Sequence, residues 1–108
     1  MIVKYINLAF QSLFWWTFVW TDEQVKGKIL HKLTRKGKFE HSHTALENLP
    51  KSFPPDLKGR AKDMSQELIK EGILYLKKTS YGKQVSINLE RKDKTMEYID
   101  EFLKMEEI

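Results

Sequence analysis

Leu57-Lys58-Gly59-Arg60-Ala61-Lys62-Asp63-Met64-Ser65-Gln66-Glu67-Leu68-Ile69-Lys70-Glu71-Gly72 carries Leu57, Ala61, Met64 and Leu68 at spacings of four, three and four. That is one stripe at helical period, so the run is expected to be an amphipathic helix with those residues inward. At about 100° per residue the opposite face carries Gly59, Lys62, Asp63, Gln66 and Lys70. Pro54 and Pro55 suit the entry to a helix, where a missing N–H costs nothing, and Gly72 stands where a C-terminal cap is expected. The period then changes from helical to alternating. Ile73-Leu74-Tyr75-Leu76 and Val85-Ser86-Ile87-Asn88-Leu89 read as strands, joined by the basic turn Lys77-Lys78-Thr79-Ser80-Tyr81-Gly82-Lys83. A helix with a polar outer face therefore feeds directly into a basic β-hairpin.

Working toward the N-terminus, Lys51-Ser52-Phe53 is a turn. Thr44-Ala45-Leu46-Glu47 has the spacing of a capping box and opens a short helix that Pro50 stops. Residues 39–43 (Phe39, Glu40, His41, Ser42, His43) read as extended. Thr21-Asp22-Glu23-Gln24 is another helix start, with Val25, Ile29 and Leu33 inward and Gly37 as the stop. Beyond the hairpin, residues 92–108 form a closing helix with Met96, Ile99, Phe102 and Leu103 as its apolar stripe.

Residues 2–20 are apolar or aromatic apart from Lys4, Asn7, Gln11, Ser12 and Thr17, and they hold all three tryptophans. The length approaches that of a membrane span. Lys4, Asn7 and Gln11 share one helical stripe, however, which favours an amphipathic helix packed on its own domain or on a second copy. The expected organisation is an apolar helix at 1–20, a central domain at 21–91 and a C-terminal helix at 92–108. The fold class is α+β, mostly α with a small antiparallel hairpin.

With 108 residues the chain suits one domain with one modest core. A formal charge of +4 and a pI near 9.2 suit an anionic partner. The charge is uneven: residues 25–38 contain Lys26, Lys28, Lys32, Arg35, Lys36 and Lys38 and no acid. The absence of cysteine excludes a disulfide framework and thiolate chemistry and fits a cytoplasmic setting. No nucleophile motif or phosphate-cradling glycine loop is present, so no enzyme activity and no cofactor are expected. His41 and His43, with Glu40 and Glu47 nearby, lack a third ligand at a recognised spacing, so no metal site is assigned.

The order of helix, short extended piece, short helix, turn, helix and hairpin resembles the winged helix-turn-helix fold over roughly residues 22–89. More narrowly, Glu67-Leu68-Ile69-Lys70-Glu71-Gly72 with Thr79-Ser80-Tyr81-Gly82-Lys83-Gln84-Val85-Ser86-Ile87-Asn88 is similar to blocks in small uncharacterised archaeal proteins of that fold. The resemblance implies double-stranded DNA as partner and a small transcription regulator as function. The helix at about 55–71 would enter the major groove and the wing at 77–84 would lie on the backbone. Arg60 then pairs with guanine and Gln66 with adenine, while Lys58 and Lys62 neutralise phosphates. On the wing, Lys77, Lys78, Ser80, Tyr81 and Lys83 contact the backbone, and Lys51 and Ser52 do so just before the helix. The basic end of the first helix (Arg35, Lys36, Lys38) would extend this footprint. One such helix reads few base pairs, which implies a homodimer paired through the apolar leader, the closing helix or both. The alternative is a winged-helix protein-interaction module, with the leader docking a partner or a membrane.

Overall fold

The computed structural model describes residues 20–106. The expected leader helix therefore lies outside the described residues, apart from Trp20. Helix α1 spans Asp22–Arg35. Its start is a reciprocal capping box: the Thr21 hydroxyl accepts from the Gln24 N–H at 3.1 Å, and Gln24 Oε1 accepts from the Thr21 N–H at 2.9 Å. Its end is a Schellman turn, with the Gly37 N–H on the Thr34 carbonyl and the Lys38 N–H on that of Leu33. Gly37 takes φ +69, which a side chain would resist.

The chain then departs from expectation. Of residues 39–43 only Phe39 pairs as extended chain, in a parallel β-bridge with Ile87; the turn follows at once, with the Ser42 N–H on the Phe39 carbonyl and Glu40 at φ 47. Three contacts hold Glu40 in that left-handed conformation. Its N–H donates to Ile87, its carbonyl accepts from the Ser86 hydroxyl, and its carboxylate accepts from the Leu89 N–H. Thr44 does not cap a helix. Thr44–Ala45 is a short strand, β1, and the segment after it, Leu46–Ser52, is a 3₁₀ helix with no side-chain cap. The Thr44 hydroxyl instead accepts from Asn48 at 3.3 Å.

A 3₁₀ turn at Pro55–Leu57 leads into helix α2, Lys58–Lys70. Leu57, Ala61, Ser65 and Leu68 are buried and Met64 partly so, close to the expected stripe. Gly72, at φ +78, closes the helix with a second Schellman turn, its N–H on Ile69 and that of Ile73 on Leu68. Strands β2 (Leu74–Thr79) and β3 (Gly82–Ile87) pair antiparallel from Leu74↔Ile87 to Thr79↔Gly82. The sheet has three strands rather than the two of a hairpin, in the order β1-β3-β2, because β1 pairs with β3 through Thr44↔Val85. Lys77, Lys78 and Lys83 consequently lie on strands, and only Ser80 and Tyr81 form the loop.

Helix α3, Lys92–Glu106, packs across α1. Gly27 makes the crossing possible: a Cβ there would lie 2.0 Å from the Tyr98 carbonyl oxygen. The buried face of α3 is Thr95, Tyr98, Ile99 and Phe102, whereas Met96 and Leu103 are exposed. The expected apolar stripe is thus rotated, because Tyr98 rather than Met96 meets α1 and α2. Trp20 closes one end of the core, its ring 5.9 Å from Phe53 and 6.1 Å from Phe102. The architecture is α+β, helices against a small three-stranded antiparallel sheet. No described helix is long and apolar enough to cross a membrane.

Candidate nucleic-acid interface

Three elements meet at a groove of ≈ 360 Å³. Helix α2 contributes Lys62, Ser65 and Gln66, the hairpin contributes Tyr81, Gly82 and Lys83, and the 3₁₀ segment contributes Leu46, Glu47 and Pro50. Helical geometry explains why these α2 residues look outward here. Lys62 and Gln66 are four apart and flank the buried Ala61 and Ser65 on the hairpin side. The Ser65 hydroxyl is occupied within the helix, donating to the Ala61 carbonyl at 2.8 Å.

The hairpin reaches this groove through its register. Leu74, Leu76 and Lys78 share one face of β2, opposite Ile87, Val85 and Lys83 of β3. That face packs the core near Leu74 and Ile87 and runs beyond it at Lys78 and Lys83. Two lysines therefore stand directly opposite each other, an arrangement that costs stability without a counter-charge. Lys77 falls on the other face. At the tip the Thr79 hydroxyl donates to the Gly82 carbonyl at 2.8 Å and accepts from the Tyr81 N–H at 3.1 Å. Tyr81 projects from this tight loop at 94% exposure. Gly82, at φ +113, is conformationally required there.

The other residues expected at the site separate. Arg60 lies on the opposite flank of α2, facing the start of α1. Its guanidinium donates to the Trp20 carbonyl at 2.8 Å and to Asp22 Oδ1 at 2.7 Å. Those bonds tie α2 to α1 and leave Arg60 off the groove. Lys58 is exposed at the first turn of α2. Ser80 is exposed at the tip beside Tyr81.

Lys51 and Ser52, at the end of the 3₁₀ segment, approach α1 instead. Ser52 lines a second groove with Lys28, His31, Lys32, Arg35, Lys36 and Phe102. Burial, and then the charges of Lys36, Lys28 and Lys51, hold the Lys32 ammonium below the usual lysine pKa. Lys28 lies 5.5 Å from the ring centres of both Phe53 and Phe102. Sequence reasoning finds the cations of this helix but not their meeting with Lys51. The helical spacing of 28, 32 and 36 is the available signal.

A separate polar cluster is structural. Glu71, at the end of α2, accepts from Lys26 of α1 at 2.6 Å and from the Tyr98 hydroxyl of α3 at 2.7 Å. Burial opposes ionisation of Glu71, but the hydrogen bonds from Lys26 and Tyr98 and the charges of Lys26 and Lys94 outweigh it. Its carboxyl is held below the usual range. Among the described residues no three His, Asp or Glu side chains converge as a metal site would require, and His41 is exposed. Comparison with protein-family models, curated proteins and solved structures gives no match to this chain.

Proposed function

We propose that this is a winged-helix domain that binds double-stranded DNA and serves as a small transcription regulator. Helix α2 lies in the major groove, and the β2–β3 hairpin is the wing on the backbone. The observation that carries this reading is the meeting of Lys62 and Gln66 of α2 with Tyr81 and Lys83 of the hairpin in one groove. Helix positions three and four apart have Cβ atoms about 5–6 Å from each other, a spacing from which side chains reach neighbouring base edges and phosphates. Lys62, Lys78 and Lys83 supply backbone neutralisation. Gln66 is the base reader, with the bidentate donor–acceptor pair that suits adenine. Glu47 at the groove wall suits a cytosine amino group and disfavours an indiscriminate phosphate contact there. Arg60 has no reading role; it positions α2 against α1. A second copy supplies the other half-site, and the exposed Met96 and Leu103 of α3 are a candidate pairing surface.

Fluorescence anisotropy on a random-sequence duplex across a salt series tests the reading. Affinity should fall steeply with salt. The double variant Lys62→Ala, Lys83→Ala should flatten the slope by about two units, near one for each phosphate that a lysine no longer neutralises. A wild-type chain that ignores the duplex at low salt removes the proposal.

A further inference from the structure

We infer that the groove along α1 is a second nucleic-acid backbone site, one that takes successive phosphodiesters on a face distinct from the helix–wing groove. The inference rests on the DNA-binding reading for its partner class but on different residues for its place. Lys28, His31, Lys32, Arg35 and Lys36 follow the helical spacings three, one, three and one, so they form a single ridge. Residues 28 to 36 extend about 12 Å along a helix at 1.5 Å per residue. Ser52 faces the ridge across the groove, and Lys51 comes close enough to act on Lys32. No carboxylate lines this groove, and none of its cations belongs to an ion pair among the described residues.

The helix dipole does not account for the arrangement. It favours cations in the last turn of α1, which holds Lys32 and Arg35. It gives no reason for Lys28, two turns from the end, or for Lys51, which belongs to another element. Their meeting raises the energy of the free protein by like-charge repulsion, which adds to burial in holding the Lys32 ammonium below the usual lysine pKa. The open groove and its ridge, about 12 Å long, suit a linear polyanion over a compact one. The spread of cations matches successive phosphates, which recur every few ångströms along a strand. His31 and Phe102, with ring centres 5.6 Å apart, add an aromatic wall beside the ridge.

The 3₁₀ segment separates this groove from the helix–wing groove: Leu46, Glu47 and Pro50 line one and Ser52 the other. A duplex held at both is gripped on two sides of that segment.

The test is the triple variant Arg35→Ala, Lys36→Ala, Lys51→Ala in the full chain, because all three residues are exposed and their removal leaves the core intact. Its charge-matched control is Lys92→Glu, Lys104→Ala, which lowers the net charge by the same three units at exposed lysines of α3, away from both grooves. Both are titrated with a labelled 16-base-pair random duplex across a salt series, with and without Lys62→Ala, Lys83→Ala. Retained cooperative melting confirms that each variant folds. The triple variant should bind about tenfold more weakly at low salt and lose about two to three units of salt slope, in both backgrounds, while the control keeps its slope. A triple variant indistinguishable from the control overturns the second site, even where Lys62→Ala, Lys83→Ala still weakens binding. The converse, a loss only on the α1 side, retains this site and removes the helix–wing reading. A wild-type chain that binds no duplex removes both.

Discussion

At the scale of single residues, Glu71 shows how one side chain joins three helices. It stands at the end of α2, with Lys26 of α1 on one oxygen and Tyr98 of α3 on the other. Side-chain exposures of 12% for Lys26 and 25% for Glu71 place the pair where solvent screens it only in part. Burial works against the charge on Lys26, but the hydrogen bond and charge of Glu71 prevail and raise its pKa above the usual lysine value. The two shifts act at opposite ends of the pH scale. Because the Glu71 carboxyl is depressed in the folded chain, the folded state binds fewer protons than the unfolded state near pH 4. Its contribution is complete above the unfolded pKa of about 4.3 and is lost as pH falls through the lower folded value. The raised Lys26 pKa contributes below about 10.4 and is lost above its folded value. Glu71→Gln should therefore cost about 1–3 kcal/mol at pH 7, the cost of a charge-assisted hydrogen bond and of stranding Lys26. Urea denaturation at pH 7 and again below pH 4 checks this. The gap between wild type and variant should close in acid, and a gap independent of pH would show that the carboxylate charge is not what matters.

At the scale of elements, α2 buries one stripe in the core and leaves its outer face exposed. On the proposed reading that exposed face must also be approachable by a duplex. Gly59 is an exposed helical residue with open space where a Cβ would go. Gly59→Ala removes backbone freedom from the unfolded chain without a clash, so it should stabilise the domain by about 0.4–1 kcal/mol. On the proposed docking of α2 in the major groove, the same methyl holds the helix backbone away from the duplex. Thermal melting should improve while duplex affinity falls; an affinity that is unchanged would place this end of α2 away from DNA. Much of this element is legible from the chain, because Leu57, Ala61, Met64 and Leu68 record the period and Gly72 records the stop. The β1 segment is not legible. Thr44 and Glu47 have the spacing of a capping box, but a two-residue strand depends on its partner, and that partner is Val85, far along the chain. The rotation of α3 is hidden for a similar reason. Met96 and Leu103 are as apolar as Ile99 and Phe102, and the clearance at Gly27 that admits the Tyr98–Phe102 side of α3 is not visible from the stripe alone.

At the scale of the whole molecule, an uneven distribution matters more than the net charge of +4. The candidate site is legible as residue types: Lys62, Gln66 and Lys83 are where an outer helix face and a hairpin place them. Arg60 shows the limit of that reading. Its position in the sequence suits a base contact equally well, but Asp22 and the Trp20 carbonyl hold it, and neither lies near it in the chain. Lys51 shows the same limit in the other direction, since the fold carries it to the cations of α1. That convergence sets stability against binding. Each cation added to the α1 ridge strengthens attraction to a polyanion and weakens the free domain. Lys51→Glu reverses both terms at once, replacing repulsion toward Lys32 with attraction while putting a negative charge where a phosphate would pass. An exposed ion pair is worth only about 0.2–1 kcal/mol, so in a domain of this size the melting temperature should rise by roughly 1–8 °C in low salt. The rise should shrink as added salt screens charges beyond about 10 Å at 0.1 M. Duplex affinity should fall in the same variant by more than Lys51→Ala lowers it, because a repulsive charge replaces a merely absent one. Scanning calorimetry at two salt concentrations, paired with anisotropy, resolves the two effects. A variant that melts no higher and binds no more weakly would show that the ridge neither strains the free domain nor meets DNA.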